Sequence, residues 1–292
     1  MEIEKQSKEN ILGYITHDVF DKFGRLLLAE GTPLTPNVVQ KLEERKLGFR
    51  ISAEPLGNSS AILKSASLKT GNSKQFKVPP KLDNKFVKIN GESIGNAAKY
   101  MNWILRQVQE DIFLNNNLKI LAQGHKANYS HSINVSLITV AIARKLKYDK
   151  PSLQEIALGS LYHDIGKILL PKSVLDDIAG VYNGQTLIYQ QHTVLGSDLL
   201  AADKLPTGVY LIARQHHEKY SGNGYPSGLK GNDIHLNAAI VTVADVFDRL
   251  TSAVFKRNVL PPDEAINQIL LAKGIDYHPQ VVDMFVELFN RE

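Results

Sequence analysis

The chain has 292 residues, 43% of them hydrophobic and 22% charged, a composition that can bury one large core or two modest ones and excludes the disordered and fibrous classes. Its net charge of +4 comes from lysines interspersed with acids, which argues against a surface that wraps a nucleic-acid polymer. With no cysteine, disulfides and thiolate ligands are excluded, so any metal site must use histidine, aspartate, glutamate, water or substrate oxygen.

The N-terminal MEIEKQSKEN carries acids and amides where a signal peptide would have an apolar core. No apolar run approaches the roughly 20 residues of a spanning helix, so no membrane insertion and a cytoplasmic location are expected. Residues 1–55 read as a small mixed α+β accessory domain. Residues 11–15 and 25–29 are strand candidates around the turn Phe23-Gly24. Thr35 and Pro36 then cap a helix through Glu44, and after Gly48 a strand returns over 49–52. Residues 56–90, rich in Gly, Ser, Asn and Lys with a Pro79-Pro80 pair, read as a linker or an extended wrap.

From residue 91 to 292 the pattern is helical. Helices are predicted over 94–109, 114–122, 132–146, 153–161, 187–200, 209–217, 238–254, 263–273 and 281–289. Short connectors join them, as in a helical bundle. The fold class expected is therefore mainly α, a helical catalytic domain behind a small α+β domain. The faces of 94–109 and 114–122 serve either a homodimer or the chain's own core.

Chemistry-bearing residues gather at the ends and apolar stretches of these helices. His163-Asp164 follows Ile156, Leu158 and Leu161, and Lys167 lies three residues after Asp164, within reach of the same side. A phosphate oxygen is a natural partner for that ammonium; the bland reading makes Asp164 a cap and Lys167 a surface residue. His192, the adjacent His216-His217 pair and His131 are each, alone, as easily core or surface histidines. Asp245 lies within the apolar run 240–244, where a bare carboxylate is costly; a metal, a capping role or a pair with Arg249 would each remove the cost. Taken together, imidazoles and carboxylates of this kind can hold divalent ions that activate water and neutralise phosphate charge. Gly222-Asn223-Gly224-Tyr225-Pro226 is a turn whose glycines permit close backbone approach, with Tyr225 free to hydrogen-bond or stack.

The combined pattern resembles the HD-GYP family of cyclic di-GMP phosphodiesterases, a branch of the histidine–aspartate superfamily. The resemblance covers about residues 110–290 and rests on YSHSINV at 129–135, HDIGK at 163–167, His192, HHEKYSGNGYPSGLKG at 216–231 and VADVFDRLTS at 243–252. It implies an HD-type bundle in which His131, His163, Asp164, His192, His216, His217 and Asp245 are metal ligands. Asp164 would bridge two divalent ions, the water between them would attack, Lys167 would contact phosphate, and Tyr225 would meet substrate or a signalling partner. The N-terminal segment resembles accessory domains found ahead of such catalytic regions, a second route to a signalling partner.

The implied reaction opens cyclic di-GMP to pGpG, and related members act on cyclic GMP–AMP. The donor set suits iron or manganese. Two departures stand out. Ala127 occupies a position where three-metal relatives have glutamate, which favours a two-metal centre and pGpG as the main product. Ser221 replaces a common acid ahead of the Gly-x-Gly-Tyr-Pro turn. The other readings to be weighed are a cyclic-dinucleotide sensor or protein-interaction module with weak or absent turnover, and a different nucleotide phosphohydrolase.

Overall fold

The computed structural model describes five short strands between residues 13 and 54, and residues 76–79, 82, 84–124, 126–170, 174–175, 187–252 and 259–289. The strands are β1 (Gly13–Ile15), β2 (Val19–Phe20), β3 (Leu26–Leu28), β4 (Pro33–Leu34) and β5 (Ala53–Glu54). β1 pairs antiparallel with both β4 and β5, and β2 pairs antiparallel with β3. The helix expected over 36–44 and the strand expected over 49–52 lie outside the described residues.

The helical part comprises α1 (Gly91–Glu110), α2 (Ile112–Gly124), α3 (Lys126–Lys145), α4 (Lys150–Leu161), α5 (Leu187–Ala202), α6 (Thr207–Gln215), α7 (Leu236–Thr251), α8 (Pro262–Leu271) and α9 (Pro279–Glu287). Each overlaps a helix read from periodicity, with ends shifted by a few residues. Caps explain several starts. The Asn90 side chain accepts from the Glu92 and Ser93 amides, and Asp149 accepts from Ser152 ahead of Pro151.

α3 is the axis of the bundle. Every residue from His131 to Ala143 is buried, as expected of a helix that is apolar on all sides. It packs against α1, α2, α4, α7 and α9, while α5 and α6 pack on each other and α6 on α4. The apolar faces of α1 and α2 are used up in this core: Met101, Ile104, Leu105, Val108, Leu118 and Leu121 are essentially inaccessible. These side chains serve the chain's own core.

Residues 76–79 and 84–90, within the stretch read as a linker or wrap, lie against the bundle. Val78 donates to the Asn102 side chain, and the Gln109 and Tyr129 side chains donate to the carbonyls of Phe76 and Lys77. A 3-10 turn at Asn84–Lys88 then buries Lys85, Phe86 and the following Ile89. Among the described residues, no helix is long and apolar enough to cross a membrane.

Candidate metal centre

α4 ends at Leu161, and Tyr162 caps it by donating to the Leu158 and Gly159 carbonyls. His163 and Asp164 therefore sit in the turn that follows, and Ile165–Leu169 forms a 3-10 helix with Asp164 at its N-cap. In 3-10 geometry residues three apart eclipse. Lys167 consequently falls over Asp164, its Nζ 2.5 Å from Oδ2. The glycine of this motif has a specific task. A Cβ at Gly166 would lie 1.9 Å from the His192 carbonyl oxygen and 2.6 Å from the Gly196 nitrogen. The 3-10 turn can therefore press backbone to backbone onto α5, which brings Asp164 to His192.

All seven imidazoles and carboxylates singled out above come together here. Their elements are separate: His131 lies on α3, His163 and Asp164 in the turn after α4, His192 on α5, His216 and His217 at the end of α6, and Asp245 on α7. Two sets of donor atoms cluster tightly enough to share an ion, Asp164 with His192, His216 and His217, and Asp164 with His131 and His163. The Asp164 carboxylate divides between them. Its Oδ1 lies 3.4 Å from His192 Nε2 and 3.6 Å from His216 Nε2. Its Oδ2 lies 3.4 Å from His163 Nε2 and 3.7 Å from His131 Nε2.

The imidazole tautomers are set by the chain itself. Nδ1 of His163 faces the Ser160 carbonyl at 2.8 Å, that of His192 the Tyr189 carbonyl at 2.6 Å, and that of His216 the Ile212 and Ala213 carbonyls at 3.1 and 3.0 Å. Each Nδ1 must therefore carry the proton, which leaves Nε2 with a lone pair pointing inward. Nε2 of His192 and of His216 face each other at 3.4 Å, an arrangement of two acceptors that a cation relieves. Nε2 of His163, Nε2 of His217 and Oδ1 of Asp164 are buried and form no hydrogen bond among the described residues. Converging buried acceptors of this kind fit divalent ions and are costly for a merely structural core.

Electrostatics keep the donors in their ligating forms. Burial pushes His192, His216 and His217 below the ordinary imidazole value, and the neighbouring Lys167 and His216 add to this at His192. Burial works to raise the Asp164 carboxyl, but Lys167 and His163 outweigh it and hold the group well below the usual carboxylate range. At Asp245 burial is likewise outweighed, by Arg249 and His131. His131 behaves differently. Burial favours its neutral form, but hydrogen bonds to Asp245 and Asp248 raise its pKa to about 9, so positive charge is favoured at that point.

Tyr225 closes one side of the centre, its ring stacked on His217 with centroids 4.7 Å apart. The Lys167 ammonium lies 5.3 Å from the Tyr189 ring centroid. The turn carrying Tyr225 is held by Glu218, whose buried carboxylate accepts from the Ser227 amide at 2.7 Å and the Leu229 amide at 3.0 Å. Anchoring is thus supplied three residues before Ser221, whose own amide donates to the Ile275 carbonyl. Gly224 passes so close to Glu218 and Lys219 that a Cβ would lie 2.3 Å from the Lys219 nitrogen. The close approach its glycine allows is to the chain's own backbone.

Sequence reasoning missed four contributors. Asp248 binds His131 Nδ1 at 2.6 Å, and its spacing of one turn from Asp245 in an otherwise apolar helix was the available signal. Glu218, directly after the histidine pair, was another. The Tyr189 carbonyl accepts from His192 Nδ1, and its hydroxyl accepts from Arg249 at 3.2 Å. Lys85, bound to Asp248, lies 163 residues away from it in the chain, and no local pattern points to that contact.

A family model described as "HD domain" matches residues 113–281. The chain is 34% identical over 163 residues to a cyclic di-GMP phosphodiesterase of Thermotoga maritima, a match covering 55% of this chain and 44% of the relative. It is 30% identical over 213 residues to the 3'3'-cGAMP-specific phosphodiesterase 2 of Vibrio cholerae, covering 70% of this chain and 40% of the relative. The chain thus spans less than half the length of these curated relatives. Among solved structures, Bd1817, an HDGYP protein of Bdellovibrio bacteriovorus, aligns over 94% of each chain with a TM-score of 0.47 and 19% identity.

Proposed function

Because this chain belongs to the HD domain family and carries the motifs of its HD-GYP branch, we propose that it hydrolyses a phosphodiester of a cyclic dinucleotide. The proposed reaction is metal-dependent opening of cyclic di-GMP, mainly to linear pGpG. The observation that carries this reading is the division of the Asp164 carboxylate between two imidazole sets. One carboxylate so placed can bridge two cations and reduce their repulsion. The names of the relatives in Thermotoga maritima and Vibrio cholerae supply the substrate class, with cyclic di-GMP and cyclic GMP–AMP as the two candidates.

In this reading His192, His216, His217 and Asp164 hold one ion, and His131, His163, Asp164 and Asp245 hold the other. Iron or manganese suits this mixture of imidazole and carboxylate oxygen better than magnesium. The ions, when bound, lower the pKa of water and stabilise charge on the phosphate. Asp164, held in its carboxylate form by Lys167 and His163, would keep both donor sets in register. Lys167 spends one N–H on Asp164 and keeps others, which orient a non-bridging phosphate oxygen of the substrate. Tyr225, fixed on the face of His217, offers a ring against which a base or ribose rests. Ala127, one turn ahead of His131 on α3, brings no carboxylate, which favours two ions and a product that stops at pGpG.

The test is anaerobic turnover of cyclic di-GMP and of cyclic GMP–AMP by the full chain loaded with iron or manganese, with the products separated by chromatography. Accumulation of pGpG, lost on chelation and restored by metal, is the expected result. Tight nucleotide binding without product under every metal condition would overturn the enzymatic reading in favour of a sensor. Release of inorganic phosphate from nucleoside monophosphates alone would overturn the substrate class.

A further inference from the structure

Three buried carboxylates surround the centre, and each has a cation against it. Lys167 lies on Asp164, Arg249 on Asp245 at 3.1 Å, and Lys85 on Asp248 at 2.5 Å. The first two pairs join neighbours within a turn. The third reaches across the fold from a segment that precedes the residues matched by the family model. Lys85 is 5% exposed, Asp248 1% and His131 3%. Asp248 uses its two oxygens on opposite sides, Oδ1 for the Lys85 ammonium and Oδ2 for His131 Nδ1 at 2.6 Å. The same ammonium also donates to Ser252 Oγ at 2.5 Å, at the C-cap of α7. The lysine backbone is fixed by its neighbours, because Phe86 and Ile89 are buried in the main core and the Asn90 amide donates to the Leu288 carbonyl.

A buried ion pair is weak support for stability, since desolvation of both charges offsets most of their attraction, and apolar side chains of similar volume do as well or better. What this pair does that an apolar pair cannot is orient a carboxylate. A carboxylate behind a metal-binding imidazole sets its tautomer, direction and basicity. Asp248 can do so for His131 only while its other oxygen is held.

We propose that Lys85 is a positioning residue of the metal centre: by holding Asp248 it aims His131 and sets ion affinity in the His131–His163–Asp164 half. This rests on the metal-centre reading given above. The segment at Asn84–Lys88 is then a working part of the centre, and the catalytic unit begins before the residues that carry the family motifs.

The experiment is a Mn2+ titration of the chelator-stripped full chain, followed by calorimetry and by electron paramagnetic resonance of free and bound Mn2+. It needs no substrate, so failure of the phosphodiesterase reading leaves it intact. Wild type is expected to bind two ions. Lys85→Met is expected to weaken one of them ~10-fold, in the range found when supporting groups behind metal ligands are removed, and to leave the other unchanged. Lys85→Arg, which keeps the charge, is expected to recover most of the loss. Because Lys85→Met strands a buried carboxylate, a second comparison does not depend on its folding. Asp248→Asn and the double variant Lys85→Met/Asp248→Asn are expected to bind Mn2+ alike, since Lys85 acts only through Asp248. Additive losses in that pair would overturn the proposal. So would a wild-type isotherm for Lys85→Met, or equal weakening of both ions with a lower melting temperature of the metal-free protein. Absence of any Mn2+ uptake by wild type would overturn the metal centre and this proposal together.

Discussion

His192 and His216 are aimed by carbonyls three or four residues back in their own helices, whereas His131 is aimed by a carboxylate 117 residues away. The imidazoles of the first, imidazole-rich half are therefore oriented within α5 and α6 themselves, and only its Asp164 comes from elsewhere, the turn after α4. In the carboxylate-rich half, His131 of α3 meets Asp245 and Asp248 of α7, and Asp248 is met in turn by Lys85 of the Asn84–Lys88 turn. Their electrostatics differ accordingly. Burial keeps the imidazoles of the first half neutral, while Asp245 and Asp248 draw positive charge to His131 in the second. Local carbonyls orient His192, His216 and His163, and a long-range carboxylate orients His131.

Asp164 belongs to both halves, so its replacement carries the largest effect. Asp164→Asn is expected to reduce turnover to background and to lower bound metal from both halves, measured by elemental analysis alongside product chromatography. Unchanged metal content with preserved turnover would remove Asp164 from the centre.

Asp248→Asn probes the second half alone. A loss of about 10- to 100-fold in affinity for one Mn2+ is expected, with the other ion retained, read from the stoichiometry and shape of a calorimetric titration. Equal loss of both ions would mean that the two halves are not separable.

Gly166→Ala attacks the seam between the Asp164 turn and α5. The added methyl would overlap the His192 carbonyl oxygen, backbone that cannot swing aside, and the cost is expected at about 3 kcal/mol, the upper end of overpacking. Thermal unfolding of the metal-free protein measures it; a melting temperature equal to wild type would show that the seam is loose.

Glu218→Gln is expected to be the mildest. It leaves one carbonyl oxygen for two amides, a loss of about 1 kcal/mol in loop anchoring. The Michaelis constant for the cyclic dinucleotide should rise about fivefold, with Mn2+ binding unchanged. A change in metal affinity instead would place Glu218 with the metal-supporting residues.

The nine described helices of the bundle were readable because each carries a run of apolar residues, as a stripe or all round, long enough to outweigh local ambiguity. α3 illustrates the strength of that signal, being apolar on nearly every side from Ile133 to Ala143. The candidate ligands were readable only as a set: each histidine or aspartate in apolar surroundings admits a core, cap or ion-pair explanation, and the spacing of the motifs that resemble the HD-GYP family singled out the seven. Helix ends were less readable. The His163-Asp164 pair lies beyond α4, in the turn that leads into the 3-10 helix Ile165–Leu169, where Gly166 packs backbone to backbone on α5, a contact that helical periodicity does not record.

Residue order alone determined a helical bundle through its periodicity, and the motifs, through the resemblance they carry, pointed to seven candidate imidazole and carboxylate donors and to a reaction class. Packing of distant elements decided the rest. It assigned Oδ1 and Oδ2 of Asp164 to different imidazole sets, put Glu218 behind the Tyr225 turn, and brought Lys85 through Asp248 to His131. Periodicity records which face of a helix is buried, but direction, tautomer and charge at a buried side chain depend on partners that only the folded chain brings within hydrogen-bond distance.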